Sequence, residues 1–386
     1  MVGLYLVKTS IEMYRTCEKW LFLWLISQLL SHGISAQKND SIGLDVKLPN
    51  IFNISSGIQH GFIFAHSPLV QNTKGANPTG IEISLGWQRS DAAAWDLCNC
   101  FPRKGLLISY YDYNTKILGK SVGAAYFLEP NYKLGKKSFF HIKGAAGLAY
   151  LTNPFDSIKN PGNQSYSAAV NGYLLVGIGL WFKLNDHWWL NGSLNYQHVS
   201  NGGLRQPNKG INWPTAGIAI GYQKNPRPYY SGTRNNERSW KDDPPRWDMS
   251  IFGIAKKGVD EHGNRKRLPL FGFSIQGGKQ VGRINMLTLG AEIFYDETLR
   301  IRLKHDSIDA SAIKSGITFG HEFLLGKFLF SQRIGVYIFD QTPYYDPIYH
   351  RWGIHYRMNR HWGVGLNLLA HRHVADFVDI RLSYSL

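Results

Sequence analysis

The sequence has no apolar run long enough for a membrane-spanning helix, which needs about 18 or more consecutive apolar residues. Charge is also scarce, since 18% of the 386 residues are charged and 44% are hydrophobic. A chain with this much apolar surface does not stay disordered. Cysteine is rare too: only three are present. Cys98 and Cys100 are two residues apart, too close for an ordinary disulfide, so we expect them to be small apolar residues.

Aromatic residues, by contrast, are abundant at 14%, and there are 40 glycines. The mean hydropathy is nevertheless slightly polar, at -0.25. Such a balance is typical of strands that are apolar on one face only, in a soluble all-β protein or a membrane β-barrel. From residue 55 onwards, alternating runs of about 9 to 15 residues are separated by turn-forming clusters. In one run, Leu174, Val176 and Ile178 share an apolar face opposite glycines and aromatics. We predict eight strands in the first half, at residues 57–67, 80–89, 104–114, 118–128, 138–151, 168–183, 187–200 and 214–223.

The N-terminus favours export. A mixed-charge opening precedes a short apolar segment at residues 20–30, and small residues follow up to Ala36. This pattern is typical of a signal peptide, and the apolar segment is too short to cross a bilayer. We therefore predict that residues 1–36 are a signal peptide with cleavage near Ala36.

The rest of the chain divides into two halves. Residues 225–246 lack alternation and form a linker between a first half at 55–224 and a second half at 247–386. We predict eight further strands after the linker, the last at 377–386. The segment at 185–201 is echoed at 359–376 with one inserted residue, which indicates a duplication. The sequence leaves open whether the halves are two eight-stranded barrels or one of sixteen strands.

Two polar residues near the end of the predicted seventh strand form a candidate catalytic pair. His198 and Ser200 are two apart, so their side chains share one face, and the imidazole is positioned to take the hydroxyl proton. Leu194 and Tyr196 lie on the same face, whereas Asn195 lies on the opposite one. The pair therefore faces lipid, at the level of the outer leaflet. A polar strand end in the interfacial band is the alternative interpretation, but polar groups on an apolar face are costly without a function.

The segment from His198-Val-Ser-Asn-Gly-Gly to Asn212 resembles the active-site signature of the PagL-type lipid A 3-O-deacylases. The two-half organisation resembles the bacterial acyloxyacyl hydrolase family, with a good match over 55–224 and a weak one in the second half. The resemblance implies an outer-membrane antiparallel β-barrel, eight strands per half, with Ser200 as nucleophile and His198 as general base. It also implies an oxyanion hole formed by Asn201 and the backbone of Gly203. Where the family has an acid, this sequence has Asn212, which orients an imidazole but does not stabilise its charge.

The net charge of +16 does not require nucleic acid as a partner, because an exported barrel meets phosphorylated lipid A. Arg205 and Lys209 are the nearest candidates for phosphate contacts, with solvated loop charge as the alternative. Only His371 and His373 share a strand face elsewhere, and they lack a third ligand, so we expect neither a metal nor a cofactor.

In the second half, Ala375 occupies the position of the serine and Asp376 that of the following asparagine, so we predict a structural role for this half. Taken together, the residues and the resemblance predict a serine esterase of the Gram-negative outer membrane. Its substrate is lipid A, and its surroundings are lipopolysaccharide and outer-membrane lipids. A non-catalytic barrel with a structural, adhesion or transport role is the alternative. The sequence leaves the oligomeric state open.

Overall fold

The computed structural model describes residues 49–203, 205–233, 237–372 and 374–386. The predicted signal peptide lies outside the described residues. No helix in the described part of the chain is long and apolar enough to span a membrane. Antiparallel β-structure dominates, and it forms two closed barrels.

The first barrel consists of eight long strands and one short strand, β5. Consecutive strands pair antiparallel except β4 and β5, which both pair with β6, and β9 returns to pair with β1. The sheet therefore closes on itself. The strands are β1 (Ile51–Gly61), β2 (Thr79–Gln88), β3 (Arg103–Asp112), β4 (Lys120–Glu129), β5 (Asn131–Lys133), β6 (Ser138–Leu151), β7 (Val170–Lys183), β8 (Trp188–Ser200) and β9 (Ile211–Gln223).

The second barrel has eight strands, and β10 pairs with β17 to close it. Because β9 pairs with β1 and not with β10, the chain forms two eight-stranded barrels, not one of sixteen. The predicted all-β barrel fold is thereby confirmed. The strands are β10 (Arg246–Val259), β11 (Arg265–Gly282), β12 (Asn285–Asp296), β13 (Ile313–Leu325), β14 (Phe328–Phe339), β15 (Ile348–Arg357), β16 (Trp362–His371) and β17 (Val374–Ser385).

Burial alternates along the strands, with apolar side chains outside. On β7, Leu174, Val176 and Ile178 are 45%, 60% and 47% exposed, whereas Tyr173 and Leu175, which alternate with them, are buried. A continuous outer surface of exposed aliphatic side chains fits lipid and not water. The end of the first barrel that carries the long loops, including 152–169, is the extracellular end, here called the upper end.

Ion pairs and aromatic rings fill both interiors. In the first barrel, the Glu129 carboxylate accepts from Arg103 at 2.8 Å and lies 3.6 Å from the Lys143 ammonium. In the second, Arg351 donates to Glu292 at 3.0 Å. Side chains, and not a wide aqueous pore, therefore occupy the two lumens, as expected for barrels of eight strands.

The connection between β2 and β3 is longer than an ordinary turn at the lower end of such a barrel. It contains helix α1 (Ala92–Cys98), whose N-terminus Asp91 caps by accepting a backbone N–H at 2.8 Å. Asn99 ends the helix in the left-handed conformation, with φ of 49°. This reversal brings Cys98 and Cys100 into a disulfide with Cα atoms 5.0 Å apart. The expectation of two unpaired cysteines is wrong, because it did not allow for a chain reversal between them.

The segment between the barrels, residues 224–245, packs against this insertion at the lower end. The Tyr229 hydroxyl bonds two glutamine side chains of the first barrel, each at 3.0 Å. Trp95 of α1 donates its indole N–H to a carbonyl of the same segment at 3.0 Å. From the β11–β12 turn of the second barrel, Arg283 donates to the Asp96 carbonyl. Insertion, connecting segment and second barrel are thus hydrogen-bonded to one another.

The echo between the halves extends to the geometry of one turn. Each copy precedes the seventh long strand of its own barrel, β8 or β16. Asn185 Oδ1 accepts the N–H groups two and three residues later at 3.0 and 2.9 Å, and Asn359 Oδ1 does so at 2.9 and 2.8 Å. The same side chain therefore starts the same strand in both barrels.

The upper end of the second barrel carries helix α2 (Glu297–His305) between β12 and β13. Asp296 caps it by accepting the Thr298 N–H at 2.8 Å. Leu299 and Leu303 of this helix are buried. Two short 3-10 turns, Pro68–Thr73 and Ser239–Lys241, complete the helical elements of the described residues.

Candidate active site

Three polar side chains meet at the upper end of β8 and β9. The β8–β9 ladder places His198 directly opposite Asn212, and Ser200 lies two residues beyond His198 on the same face. His198 Nδ1 is 2.6 Å from Asn212 Oδ1, and His198 Nε2 is 2.9 Å from Ser200 Oγ. The register of two neighbouring strands therefore brings together all three side chains singled out in the sequence.

The bonding partners determine the tautomer of His198. An amide oxygen only accepts, so Nδ1 carries the proton and donates it to Asn212. The Nε2 atom then has a free lone pair, which accepts the hydroxyl hydrogen of Ser200. In this state an imidazole is able to act as a base toward a serine hydroxyl.

A fourth side chain, His66, extends the row and is absent from the sequence-based expectations. Asn212 Nδ2 donates to His66 Nδ1 at 2.8 Å. The accepting nitrogen carries no proton, so His66 is neutral in this arrangement. The segment after β1 runs beside β9, where the Phe64 N–H donates to the Asn212 carbonyl at 2.8 Å. Because His66 and Asn212 are 146 residues apart, no local motif indicates this contact.

The row lies on the outer face of the barrel. Leu194 and Tyr196, which precede His198 on the same face of β8, are 59% and 46% exposed. On β7, the residue opposite His198 is Leu174, which also points outwards. His198 and Ser200 are half-buried. The polar row therefore opens onto an apolar surface and not onto the lumen.

The loop after Ser200 folds around its own asparagine. Asn201 Nδ2 donates to the Arg205 carbonyl at 2.8 Å, and the backbone N–H of Asn201 donates to Asn208 Oδ1 at 2.9 Å. The backbone N–H and one side-chain N–H of Asn201 are thus engaged within the loop. Gly202 and Gly203 follow with φ of 61° and 84°, a conformation that glycine adopts without strain.

The same loop ends at Gly210, which packs directly against the imidazole. A Cβ at this position would lie 2.8 Å from His198 Cε1, and φ is 76°. The Gly210 N–H donates to the Ser165 carbonyl at 2.7 Å, and the Lys209 N–H donates to the Gln164 carbonyl at 3.0 Å. The loop at 152–169 therefore supports the loop that follows Ser200.

Arg205 and Lys209, the two candidates for phosphate contacts, lie in the loop that follows Ser200. The Arg205 side chain is exposed and that of Lys209 is half-buried. Neither forms an ion pair with a carboxylate of the described residues, and no carboxylate there contacts His198 or Asn212. The row therefore consists of neutral side chains, with cations nearby.

The corresponding end of the second barrel is different. The His371 ring bonds a buried tyrosine hydroxyl at 3.0 Å, and His373 lies outside the described residues. Ala375 is the second residue of the downward strand β17, and Asp376 forms an ion pair with Lys256 at 2.6 Å. In the described part of this barrel no serine hydroxyl bonds a histidine. No group of three or more metal-ligating side chains occurs in the described residues of either barrel.

Comparison with solved structures gives likenesses to small outer-membrane barrels. The outer membrane enzyme PagL is 18% identical, and the match covers 43% of this chain and 97% of that chain at a TM-score of 0.32. Neisserial surface protein A is 11% identical, with 45% and 96% covered, at 0.33. The attachment invasion locus protein Ail of Yersinia pestis is 14% identical, with 46% and 99% covered, at 0.27. None of the curated proteins matches the chain.

Two family models match, one over each barrel. Residues 61–223 match lipid A 3-O-deacylase (PagL), and residues 245–386 match the C-terminal domain of acyloxyacyl hydrolase. These matches agree with two barrels whose outer surfaces are apolar, and they confirm the expected location in the Gram-negative outer membrane. The first barrel is thus similar to the PagL family of lipid A 3-O-deacylases, and the second barrel to the C-terminal domain of acyloxyacyl hydrolase.

Proposed function

We propose that the protein is a serine esterase that removes an ester-linked acyl chain from lipid A, with Ser200 as nucleophile and His198 as general base. The observation that carries this proposal is the hydrogen-bonded row from Ser200 through His198 to Asn212 on the lipid-facing surface. A lipid of the outer leaflet reaches this surface by lateral movement, with its acyl chains still in the membrane. An active site on the outer face of a barrel therefore suits a substrate that never leaves the bilayer.

The chemistry proceeds in two steps. His198 Nε2 takes the Ser200 proton as Oγ attacks the acyl carbonyl carbon, and the imidazolium then gives this proton to the departing sugar oxygen. An acyl ester on Ser200 remains. Water, deprotonated by His198, attacks this ester, and the fatty acid leaves as Ser200 recovers its proton.

The negative charge on the carbonyl oxygen needs hydrogen-bond donors. One N–H of the Asn201 side chain bonds within the loop and leaves its second N–H as a donor, and no acceptor in the described residues bonds the backbone N–H of Gly203. We therefore assign the oxyanion contact to the backbone of Gly203 and its neighbour Gly202, with the second side-chain N–H of Asn201 as a further donor. Asn201 also holds the loop in shape, because its side chain bonds the backbone of Arg205.

The neutral side chains behind His198 orient its imidazole but do not stabilise the charged imidazolium. Asn212 accepts from His198, and His66 accepts from Asn212, so the amide cannot rotate without losing both bonds. This fixes the imidazole orientation, but it supplies no negative charge to stabilise the imidazolium. We expect an esterase slower than one with a carboxylate at this position.

The non-catalytic alternative gains no support from the barrel interiors. A transport role needs a path for solute, whereas ion pairs such as Arg351 with Glu292 occupy the second lumen and Arg103 with Glu129 the first. An adhesion or structural role would leave the outward polar row without a purpose.

Mass spectrometry of lipid A from cells that express the protein tests the proposal. With the wild-type chain, lipid A should lose the mass of one acyl chain, and with Ser200→Ala it should not. Ser193→Ala is the matched control, because Ser193 lies on the same strand but faces the interior, and it should behave like wild type. The same acyl pattern with wild type and Ser200→Ala would contradict the proposal.

A further inference from the structure

Three cations share the outer face of the first hairpin of the second barrel. The β10–β11 ladder places Lys257 directly opposite Arg267, and Arg265 lies opposite Val259 one pleat higher on the same face. All three cationic side chains are exposed. We call Lys257, Arg265 and Arg267 the cationic face.

The cationic face has no acidic partner among the described residues. The neighbouring lysines do: Lys256 pairs with Asp376 at 2.6 Å, and Lys266 pairs with Asp260 at 2.9 Å. Like charges directly opposite each other destabilise an antiparallel pair. An anion from outside the chain would remove this repulsion.

The position of the face along the barrel identifies the level of that anion. Below it the outward side chains are apolar, including Ile251 and Phe271, down to Trp247 at the lower interface. Ten residues separate Trp247 from Lys257, a height of about 26 Å at a strand rise of about 3.4 Å and a tilt of about 40°. The apolar band of an outer-membrane barrel is about 25 Å tall. Lys257 and Arg267 therefore lie at the headgroup level of the outer leaflet.

The face also lies close to the candidate active site. β10 pairs with β17, where Gly253 is opposite Ile380. Two residues above Ile380, the Val378 side chain approaches Gly202, within 2.9 Å of where a Cβ of that glycine would be. β17 thus adjoins the loop that follows Ser200 on one side and the cationic hairpin on the other. A glycolipid with an acyl ester at Ser200 has its phosphorylated sugars within reach of the face.

We propose that Lys257, Arg265 and Arg267 bind phosphate groups of lipid A and hold this substrate beside Ser200. Arginine binds phosphate through two parallel N–H groups, and lysine adds a point charge. The inference rests on the proposed function, because it names the part of the same substrate that the second barrel recognises. It gives this barrel a role in substrate binding although it has no nucleophile.

Binding of purified lipid A to the full-length protein tests the proposal without turnover. All proteins carry Ser200→Ala, so no substrate is consumed. Replacing Lys257, Arg265 and Arg267 by glutamine should weaken binding of bisphosphorylated lipid A about tenfold or more. The control variant has glutamine at three cations that already pair with carboxylates, Lys266, Lys304 and Arg372. It should bind bisphosphorylated lipid A as tightly as the Ser200→Ala parent does. Lipid A stripped of phosphate should bind equally to all three proteins.

Equal binding of bisphosphorylated lipid A by the triple variant and its control would overturn the proposal. An equally large weakening of its binding to phosphate-free lipid A would also overturn the proposal, because the effect would then not depend on phosphate. If the triple variant does not migrate as a folded barrel, the single variants Lys257→Gln and Arg267→Gln replace it in the same binding experiment. Each should weaken binding of bisphosphorylated lipid A by a smaller factor. Binding that depends on the cationic face supports the proposal even if lipid A keeps all its acyl chains in cells. The experiments therefore test phosphate binding by the cationic face separately from deacylation by Ser200.

Discussion

Asn212 is the residue at which the candidate site departs from a serine–histidine–acid arrangement. It accepts from His198 but carries no charge, so it orients the imidazole without stabilising the imidazolium. Asn212→Asp should raise the rate of fatty-acid release about tenfold or more, because a carboxylate at this position supplies that charge. His66 then donates to the carboxylate with its other tautomer.

The matched control is Asn212→Leu, which keeps the size and removes the hydrogen bond. It should release fatty acid more slowly than wild type. If Asn212→Asp were no faster than Asn212→Leu, the role given to position 212 would be wrong. Initial rates with purified protein and lipid A measure both.

Gly210 determines how closely the loop approaches His198. Gly210→Ala forces a left-handed alanine, at about 1–2 kcal/mol, and places a Cβ 2.8 Å from the imidazole. The ring must move away from Ser200, so we expect a loss of activity of about a hundredfold. Gly263→Ala controls for strain alone, since Gly263 has φ of 82° and open space around it. Equal rates for the two variants would show that contact with the imidazole is unimportant.

At the scale of elements, the loop at 152–169 supports the loop that follows Ser200. Tyr166 holds it: its hydroxyl donates to the Leu118 carbonyl at 2.7 Å and accepts from the Asn153 N–H at 3.1 Å. Burial raises the pKa of Tyr166 well above its usual value, so the hydroxyl stays protonated and keeps donating at neutral and moderately alkaline pH.

Tyr166→Phe should destabilise this loop by about 1–3 kcal/mol, since it leaves the carbonyl of the buried Leu118 and the N–H of the half-buried Asn153 without this partner. The expected result is faster protease cleavage within 152–169 and a several-fold lower rate of fatty-acid release, with the barrel intact. Tyr150→Phe is the control, because Tyr150 faces outwards and is 55% exposed. Unchanged cleavage in Tyr166→Phe would contradict this role.

Strand periodicity allowed most of the barrel to be predicted. The predicted strand at 187–200 corresponds to β8, because its alternation is regular and a turn precedes it. The first strand was predicted at 57–67, whereas β1 is Ile51–Gly61. Phe62 and Phe64 continue the outward apolar pattern beyond the end of the ladder, so periodicity alone extends the strand too far.

Contacts between distant segments could not be predicted from the sequence. His198 and Ser200 are neighbours on one strand, so their spacing indicates their contact. His66 reaches Asn212 only because the barrel closes between β1 and β9. Likewise, the Cys98–Cys100 disulfide depends on the conformation of Asn99, which the residue types do not specify.

At the scale of the whole molecule, contacts at the lower end link the two barrels. Arg283 of the second barrel donates to the carbonyls of Asp96 and Glu237, in the α1 insertion and in the connecting segment. Arg283→Ala should leave each barrel folded and make the segment at 224–245 more sensitive to protease in detergent. Arg360→Ala, in another exposed turn of the same barrel, should not. Equal cleavage rates in the two variants would mean that Arg283 does not hold this segment.

The central claim is that Ser200 carries out lipid A deacylation on the outer face of the first barrel. The most direct measurement is the rate of fatty-acid release from purified bisphosphorylated lipid A by wild type and by Ser200→Ala, at equal protein concentration in the same detergent. We predict release by wild type and a rate lower by a factor of about 10³ or more for Ser200→Ala. Equal rates for the two proteins, or no release by a folded wild-type protein, would contradict it.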